Sequence, residues 1–401
     1  MPIRFSPLTG IRRGTATSST KKSFSTLQIG MNWFSEQAGG LDRFYYDLLR
    51  HLPQTGVEVR GLVAGTPRVS YESGGQVRAF APAMAPLPIR WWRGRRAVSR
   101  VLARNQISLV ASHFSLYTLP VLDLIRFLPL VIHFHGPWAS EGEVEGTRRI
   151  DVGAKAIMER LVYQRGTRLI VLSHAFRDVL HRSYNVPVER IRVVPGGVEV
   201  DRFGIDVTRR EAREQLDWPQ HRPIVLSVRR LTRRMGLEDL IGAMNEVRKR
   251  VPETQLFVAG KGPLSETLTA QVRTLGLENN VRFLGFMPDE HLPLAYRAAD
   301  LTIVPTVTLE GFGLITVESL AAGTPVLVTP VGGLPEVVRD LSPELVLPGT
   351  GVSPLAEGLV ASLTGDLVMP SAEACQAYAR ARYTWPVIAD HVRDVYTEAL
   401  G

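Results

Sequence analysis

Short apolar runs alternate with helix-period segments in two successive series along this chain, and that alternation restricts its fold more than any other feature. The first series places runs at Thr26–Gly30, Val57–Ala64, Ser108–Ser112, Leu130–His135, Arg168–Leu172 and Arg192–Val194, with helical patterns at Leu41–Leu52, Arg95–Ala103 and Ala154–Tyr163. The second places runs at Ile224–Val228, Gln255–Ala259, Val281–Leu284, Leu301–Val304 and Pro325–Val328, with helices at Leu237–Arg250, Leu264–Leu275, Leu292–Ala298 and Leu314–Ala322. Near-continuous apolar strands need cover on both faces, and the intervening helices supply it. The predicted fold class is therefore α/β: two doubly wound, Rossmann-like domains of mainly parallel sheet facing a cleft. Length agrees, since 401 residues suit two ordinary domains. The expected boundaries are an N-terminal domain over 25–205, a C-terminal domain over 206–384, and a last helix over 385–401 packing back on the first domain. Residues 1–24, free of acids and rich in Ser and Thr, are expected to be a disordered extension, with a targeting segment as the other reading.

Charge is unevenly spread. The first 110 residues hold 16 Lys and Arg against 5 Asp and Glu, whereas the whole chain is only +8. A basic front half suits an anionic surface or ligand, and no nucleic-acid reading motif accompanies it. The single cysteine, Cys375, excludes an intramolecular disulfide framework and fits a cytoplasmic setting. The most apolar window, Leu116–Phe134, is broken by Asp123, Arg126 and two prolines, so it reads as helix, turn and strand instead of a membrane span.

The segment Glu310-Gly-Phe-Gly-Leu-Ile-Thr-Val-Glu318 carries the chemistry. Gly311 and Gly313 let a ligand approach the backbone, and the amides of the first helical turn suit a phosphate. Two carboxylates would repel that phosphate, so they are expected to accept hydrogen bonds from hydroxyls on either side. A sugar on one side and a ribose on the other describe a nucleotide-activated sugar. Ser227-Val-Arg-Arg-Leu-Thr-Arg-Arg-Met-Gly236 follows a strand, so Arg230 and Arg234 sit at the cleft edge, where guanidinium forks suit a leaving diphosphate. Gly39 and Gly40 form a turn after the first strand, and Gly260-Lys-Gly262 lacks the rest of a phosphate loop. His133 and His135 share a strand face near the acidic Glu141–Glu145 loop, which leaves metal binding as a minor reading. No Asp-x-Asp is present for a pyrophosphate-bound metal.

Together these stretches resemble the retaining glycosyltransferases of family four, with the two-domain GT-B fold. The resemblance is carried by Leu256-Phe-Val-Ala-Gly-Lys-Gly-Pro263, Val281-Arg-Phe-Leu-Gly-Phe-Met-Pro288, Ala299-Asp-Leu-Thr-Ile-Val-Pro305, Glu310–Glu318 and Gly332-Gly-Leu-Pro-Glu-Val337. Gly39-Gly-Leu-Asp-Arg43, His133-Phe-His-Gly-Pro-Trp138 and Val194-Pro-Gly-Gly-Val198 extend it to the first half. It implies metal-independent transfer of a sugar from a nucleotide diphosphate-sugar to an acceptor hydroxyl, without a cofactor or a protein nucleophile. It assigns catalytic contacts to His135, Arg230 and Glu310. Donor binding falls to Gly39, Gly40, Arg234, Met287, Gly311, the backbone amides of Phe312, Gly313 and Leu314, and the ribose-binding Glu318. One departure is Met235, where the family carries a lysine, and Arg234 or Arg233 is expected to substitute. The rival readings are a non-catalytic sugar-nucleotide-binding protein, a sugar-nucleotide epimerase of the same fold, and a metal-dependent hydrolase using His133 and His135.

Pro88–Arg104 is the expected membrane contact. Arg96, Arg100 and Arg104 recur on one helical face after two tryptophans. It predicts peripheral docking at the inner face of the membrane, to anionic lipid, with a lipid-linked acceptor; a helix packed on its own sheet with a solvated basic side is the alternative.

Overall fold

The computed structural model describes residues 23–401 except Ala38, Glu145, Thr147 and Arg148, and only the backbone of Arg149. The expectation for residues 1–24 lies outside the described residues, save that the first strand already begins at Phe24, paired with Val57.

Seven parallel strands build the first sheet: β1 (Phe24–Asn32), β2 (Val57–Ala64), β3 (Val77–Ala81), β4 (Leu109–Ser112), β5 (Leu130–Phe134), β6 (Arg168–Val171) and β7 (Ile191–Val193). Their order is β3-β2-β1-β4-β5-β6-β7, every pair parallel. The second sheet holds β8 (Ile224–Val228), β9 (Gln255–Ala259), β10 (Val281–Gly285), β11 (Leu301–Val304) and β12 (Val326–Val328) in the order β10-β9-β8-β11-β12. Both sheets reverse direction beside their first strand, β1 or β8. That is where doubly wound sheets open a crevice at the carboxyl ends of strands.

The two-residue period of the strands sorts side chains between two cores. Leu27, Ile29, Leu130, Ile132 and Phe134 face the helices Leu87–Arg104, Arg149–Arg165 and His174–Tyr184. Val57, Val59, Val131 and Ile170 face the opposite way, against the helix Gly40–His51 and the last helix, Trp385–Leu400. Trp385, Ile388, Val392 and Tyr396 of that last helix are buried in the first lobe's core, although the chain reaches it only after completing the second lobe.

Two expectations need correction. The basic helix starts at Leu87 instead of Arg95, because Pro88 lies in the first turn, where its missing N–H costs nothing. Strand β3 was not foreseen; Arg78 is exposed in its middle and it lies at the sheet edge, so no apolar run marks it.

Candidate active site

Glu310 lies in the loop between β11 and the helix Leu314–Ala321, facing the first lobe. Leu309 precedes it with φ 55, a left-handed conformation that a leucine rarely takes. Arg234 holds that turn by donating to the Leu309 carbonyl at 2.9 Å. On the other side, the Gly333 amide donates to the Glu310 carbonyl at 3.0 Å, and a methyl group at Gly332 would fall onto that carbonyl. Gly311 is required for packing: its missing Cβ leaves room for the Phe176 ring of the first lobe, which a methyl would approach to 2.5 Å. Gly313 takes φ 78 as it starts the helix. Among the described residues the backbone amides of Phe312, Gly313 and Leu314 donate to no protein group.

The Glu310 carboxylate is paired at 2.6 Å with Arg229, which also donates to Thr306. Burial works to raise its pKa, but the Arg229 and Arg234 guanidiniums outweigh that and hold it below the ordinary carboxylate value. Glu310 is thus a fixed anion at the carboxyl end of the sheet. Glu318 differs. It is buried, accepts from the Tyr296 hydroxyl at 3.0 Å, and burial raises its pKa against the pull of Arg43.

Arg43 belongs to the first lobe, one turn into the helix that Gly39 caps and Gly40 begins. It crosses the cleft to Asp289, which also pairs with Arg202 at 2.7 Å. Asp289 follows Met287, so the half-buried Met287 loop is tied to the turn at Gly39 and Gly40. Two further contacts join the lobes. Arg234 reaches Glu141 at 3.7 Å, and Glu336 accepts from the backbone amides of His174 and Ala175 at 2.8 Å each, capping a first-lobe helix from the second lobe.

Arg230 is exposed just beyond β8, whereas Arg229, which sequence reasoning passed over, turns inward to Glu310. Arg229 is buried and Arg230 exposed, and it is Arg229 that meets that carboxylate. Met235 is buried, and Arg233 is exposed; of the two arginines proposed to substitute for the family lysine, Arg234 is the one at the Glu310 turn.

His135 is half-buried at the end of β5, with its Nε2 3.4 Å from Nδ1 of His113, another residue that sequence reasoning missed. His113 follows β4, and nothing in its spacing links it to His133 and His135; the parallel pairing of β4 with β5 does so. Glu159 is the third omission. Its buried carboxylate accepts from the amides of Trp138 and Ala139 and from the hydroxyls of Tyr163 and Tyr184, and so fixes the chain just after His135-Gly-Pro. Among the described residues no three His, Cys, Asp or Glu side chains converge as metal ligands; of the expected acidic loop, Glu141 and Glu143 lie in the helix Trp138–Val144, and Glu145 is outside the described residues.

Burial pushes His113, His133 and His135 below the ordinary histidine value, His135 to about 3. The unfolded chain takes up protons near pH 6.5 and the folded one does not. Stability is therefore full above that pH and falls as pH drops, by about 1.4 kcal/mol per pH unit for each histidine. Histidine NMR of the folded protein from about pH 7 to about pH 5 should show all three rings staying unprotonated; titration of any of them near the ordinary histidine value would contradict neutral rings.

Residues 208–382 match the model of the glycosyl transferases group 1, and residues 38–202 match that of Glycosyltransferase Family 4. A D-inositol 3-phosphate glycosyltransferase of Corynebacterium aurimucosum is 30% identical over 71% of this chain and 68% of its own. A GDP-mannose-dependent alpha-(1-6)-phosphatidylinositol monomannoside mannosyltransferase of Mycolicibacterium smegmatis is 35% identical over 45% of this chain and 48% of its own. Sucrose-phosphate synthase of Thermosynechococcus elongatus superposes with a TM-score of 0.76, at 22% identity, over 94% of this chain and 98% of its own. Two facing doubly wound sheets, with an anchored carboxylate and a glycine-started helix at the crevice, are the GT-B fold. The chain belongs to the family-four glycosyltransferases. It spans between half and two thirds of the length of several curated relatives.

Proposed function

We propose that this protein transfers a sugar from a nucleotide diphosphate-sugar to an acceptor hydroxyl, retaining configuration at the anomeric carbon and needing no metal. The observation that carries this reading is Glu310, kept ionised by Arg229 and Arg234 next to backbone amides that, among the described residues, no protein group uses. A carboxylate that must stay charged in a buried place suits polyol hydroxyls, and open amides at a helix start suit a phosphate. In this reading Glu310 orients the donor ring, Glu318 holds the ribose, and the amides of Phe312, Gly313 and Leu314 meet the distal phosphate. Arg230 and Arg234 stabilise the departing diphosphate. As the acceptor oxygen bonds to the anomeric carbon, the bond to phosphate breaks and the leaving phosphate oxygen takes the acceptor's proton. Met287 and its loop border the base, and Gly39 and Gly40 approach the diphosphate from the first lobe. The relatives' names favour an acceptor that carries an inositol phosphate, free or lipid-linked.

Thermal-shift titration against UDP-, GDP- and ADP-sugars, followed by product analysis with an inositol phosphate acceptor, tests the reading. Stabilisation by one donor class with transfer to the acceptor is the expected result. An epimerised donor formed without acceptor would replace it with the epimerase reading, and tight binding without turnover would favour a non-catalytic partner.

Membrane docking is a second part of the proposal. Trp91 turns inward against the core, while Trp92 is 57% exposed beneath Arg96, whose guanidinium lies 4.8 Å from its ring. Arg93, Arg100 and Arg104 are exposed on the same helix, and Ile89 is 42% exposed. Among the described residues no helix is long and apolar enough to cross a membrane. Contact would therefore be interfacial, at the inner face of a cytoplasmic membrane. Affinity for anionic vesicles at low salt should fall about thirtyfold or more in a Trp92→Ala, Arg96→Glu, Arg100→Glu variant, since each of the two arginines lost contributes about 1 kcal/mol near such a surface. Equal retention of variant and wild type would sink it.

A further inference from the structure

A buried polar chain runs through the first sheet to His135, and its direction is fixed at the far end. The Thr26 hydroxyl donates to the Glu58 carbonyl at 3.0 Å, so towards Gln28 it is an acceptor, receiving Nε2 at 2.9 Å. That orients the Gln28 amide, whose Oε1 then lies 3.0 Å from His113 Nε2 and 3.2 Å from the Tyr396 hydroxyl. An amide oxygen only accepts, so both of these groups donate to it. His113 therefore carries its proton on Nε2, and its Nδ1 is an acceptor in the neutral ring. His135 Nε2 lies 3.4 Å from that nitrogen and must be the donor, which leaves His135 with a bare Nδ1. The Tyr396 hydroxyl, having donated to Gln28, accepts from His133 Nε2 at 2.8 Å. Thr26, Gln28, His113, His133 and Tyr396 are all buried. Water has little access to scramble the polarity, and each reversed bond would bury an unpaired donor or acceptor.

The chain ends at the cleft. His135 is followed by Gly136, where a methyl would sit 2.7 Å from Glu141 Oε1, and Glu141 in turn reaches Arg234 of the Glu310 turn. Among the described residues no group hydrogen-bonds to His135 Nδ1.

We propose that Gln28 and His113 are positioning residues that fix the ring orientation and tautomer of His135, so that it meets the donor sugar with Nδ1 as a hydrogen-bond acceptor; this rests on the transfer reading given above. The chain selects hydroxyl donors at that point and rejects a substituent that can only accept. Tyr396 brings the last helix into the same network, so its fit on the first lobe contributes to the site.

Two measurements test this. The first needs no activity: imidazole nitrogen NMR on histidine-labelled wild-type protein, with His135 assigned by its disappearance in His135→Ala. His113 and His135 should both be protonated on Nε2 and bare on Nδ1; a proton on His135 Nδ1 would overturn the chain. The second is kinetic. His113→Leu removes the acceptor, and His113→Asn restores it by placing Oδ1 where Nδ1 was. The leucine variant should lose about tenfold in kcat with donor KM unchanged, as expected for one hydrogen bond made in the transition state. The asparagine variant should recover most of that loss. Equal rates in the two variants, whether both impaired or both normal, would overturn the positioning role. If the wild type transfers no sugar from any donor, the transfer reading fails, and the NMR result still decides the polarity of the chain.

Discussion

Glu310→Gln should lower the transfer rate by about two orders of magnitude, as expected for a charged group aligned on the reacting ring. Glutamine keeps the length of the side chain and an oxygen facing Arg229 and Thr306, so the fold should persist. Glu310→Ala is a harsher change. It leaves Arg229, itself buried, without its carboxylate, and breaking a buried pair from one side costs about 3–5 kcal/mol. A glutamine variant that keeps the hydrogen-bonding oxygen, melts well above the alanine variant and still loses turnover therefore separates the catalytic charge from the structural one. Glu318→Gln should act on a different quantity. Its carboxylate is anchored by Tyr296 away from the Arg229 pair, so donor KM should rise several-fold while kcat stays close to wild type. Near-wild-type rates in both variants would count against both roles.

Glu159→Leu should destabilise the protein by about 3–5 kcal/mol and lower its melting temperature by something on the order of 10 °C. Four donors converge on this one buried carboxylate, two backbone amides and two tyrosine hydroxyls. Leucine fills the space and accepts from none of them, so each is left buried without a partner. Burial raises the Glu159 pKa, and the four hydrogen bonds pull it back only in part. The amides it holds open the helix that carries Glu141, so activity should fall with stability. Urea denaturation followed by tryptophan fluorescence would measure the loss. A change within about 1 kcal/mol, as at an ordinary surface position, would show that the carboxylate holds nothing.

Much of the second lobe was legible in its sequence for a physical reason. Ile224–Val228, Gln255–Ala259 and Leu301–Val304 are short apolar runs, and the strands observed there share their limits. Buried strands bounded by turns leave little freedom in where they stop. Pro88 and Gly94 precede the stretch Arg95–Ala103 expected to be helical, yet both lie within the helix, Pro88 in the permissive first turn and Gly94 against Phe80. The candidate site divides in the same way. Glu310, Glu318 and the glycines between them form one local segment, and a sequence displays local segments. Arg229, His113 and Glu159 earn their places through partners that lie far away along the chain, such as Glu310 for Arg229 and Gln28 for His113. Two adjacent arginines at a strand end do not say which of them faces in; that depends on the loop after β11.

The last helix, Trp385–Leu400, closes one face of the first sheet with Trp385, Ile388, Val392 and Tyr396. During synthesis that face, with Phe44, Leu48 and Val131 upon it, stays uncovered until the second lobe has been made and the helix after it has emerged. The N-terminal lobe therefore cannot mature in the order in which it is made: the lobe translated later is complete sooner. Nonsense truncations that spare Glu310 and Glu318 would still strand the earlier lobe half-built and prone to aggregation.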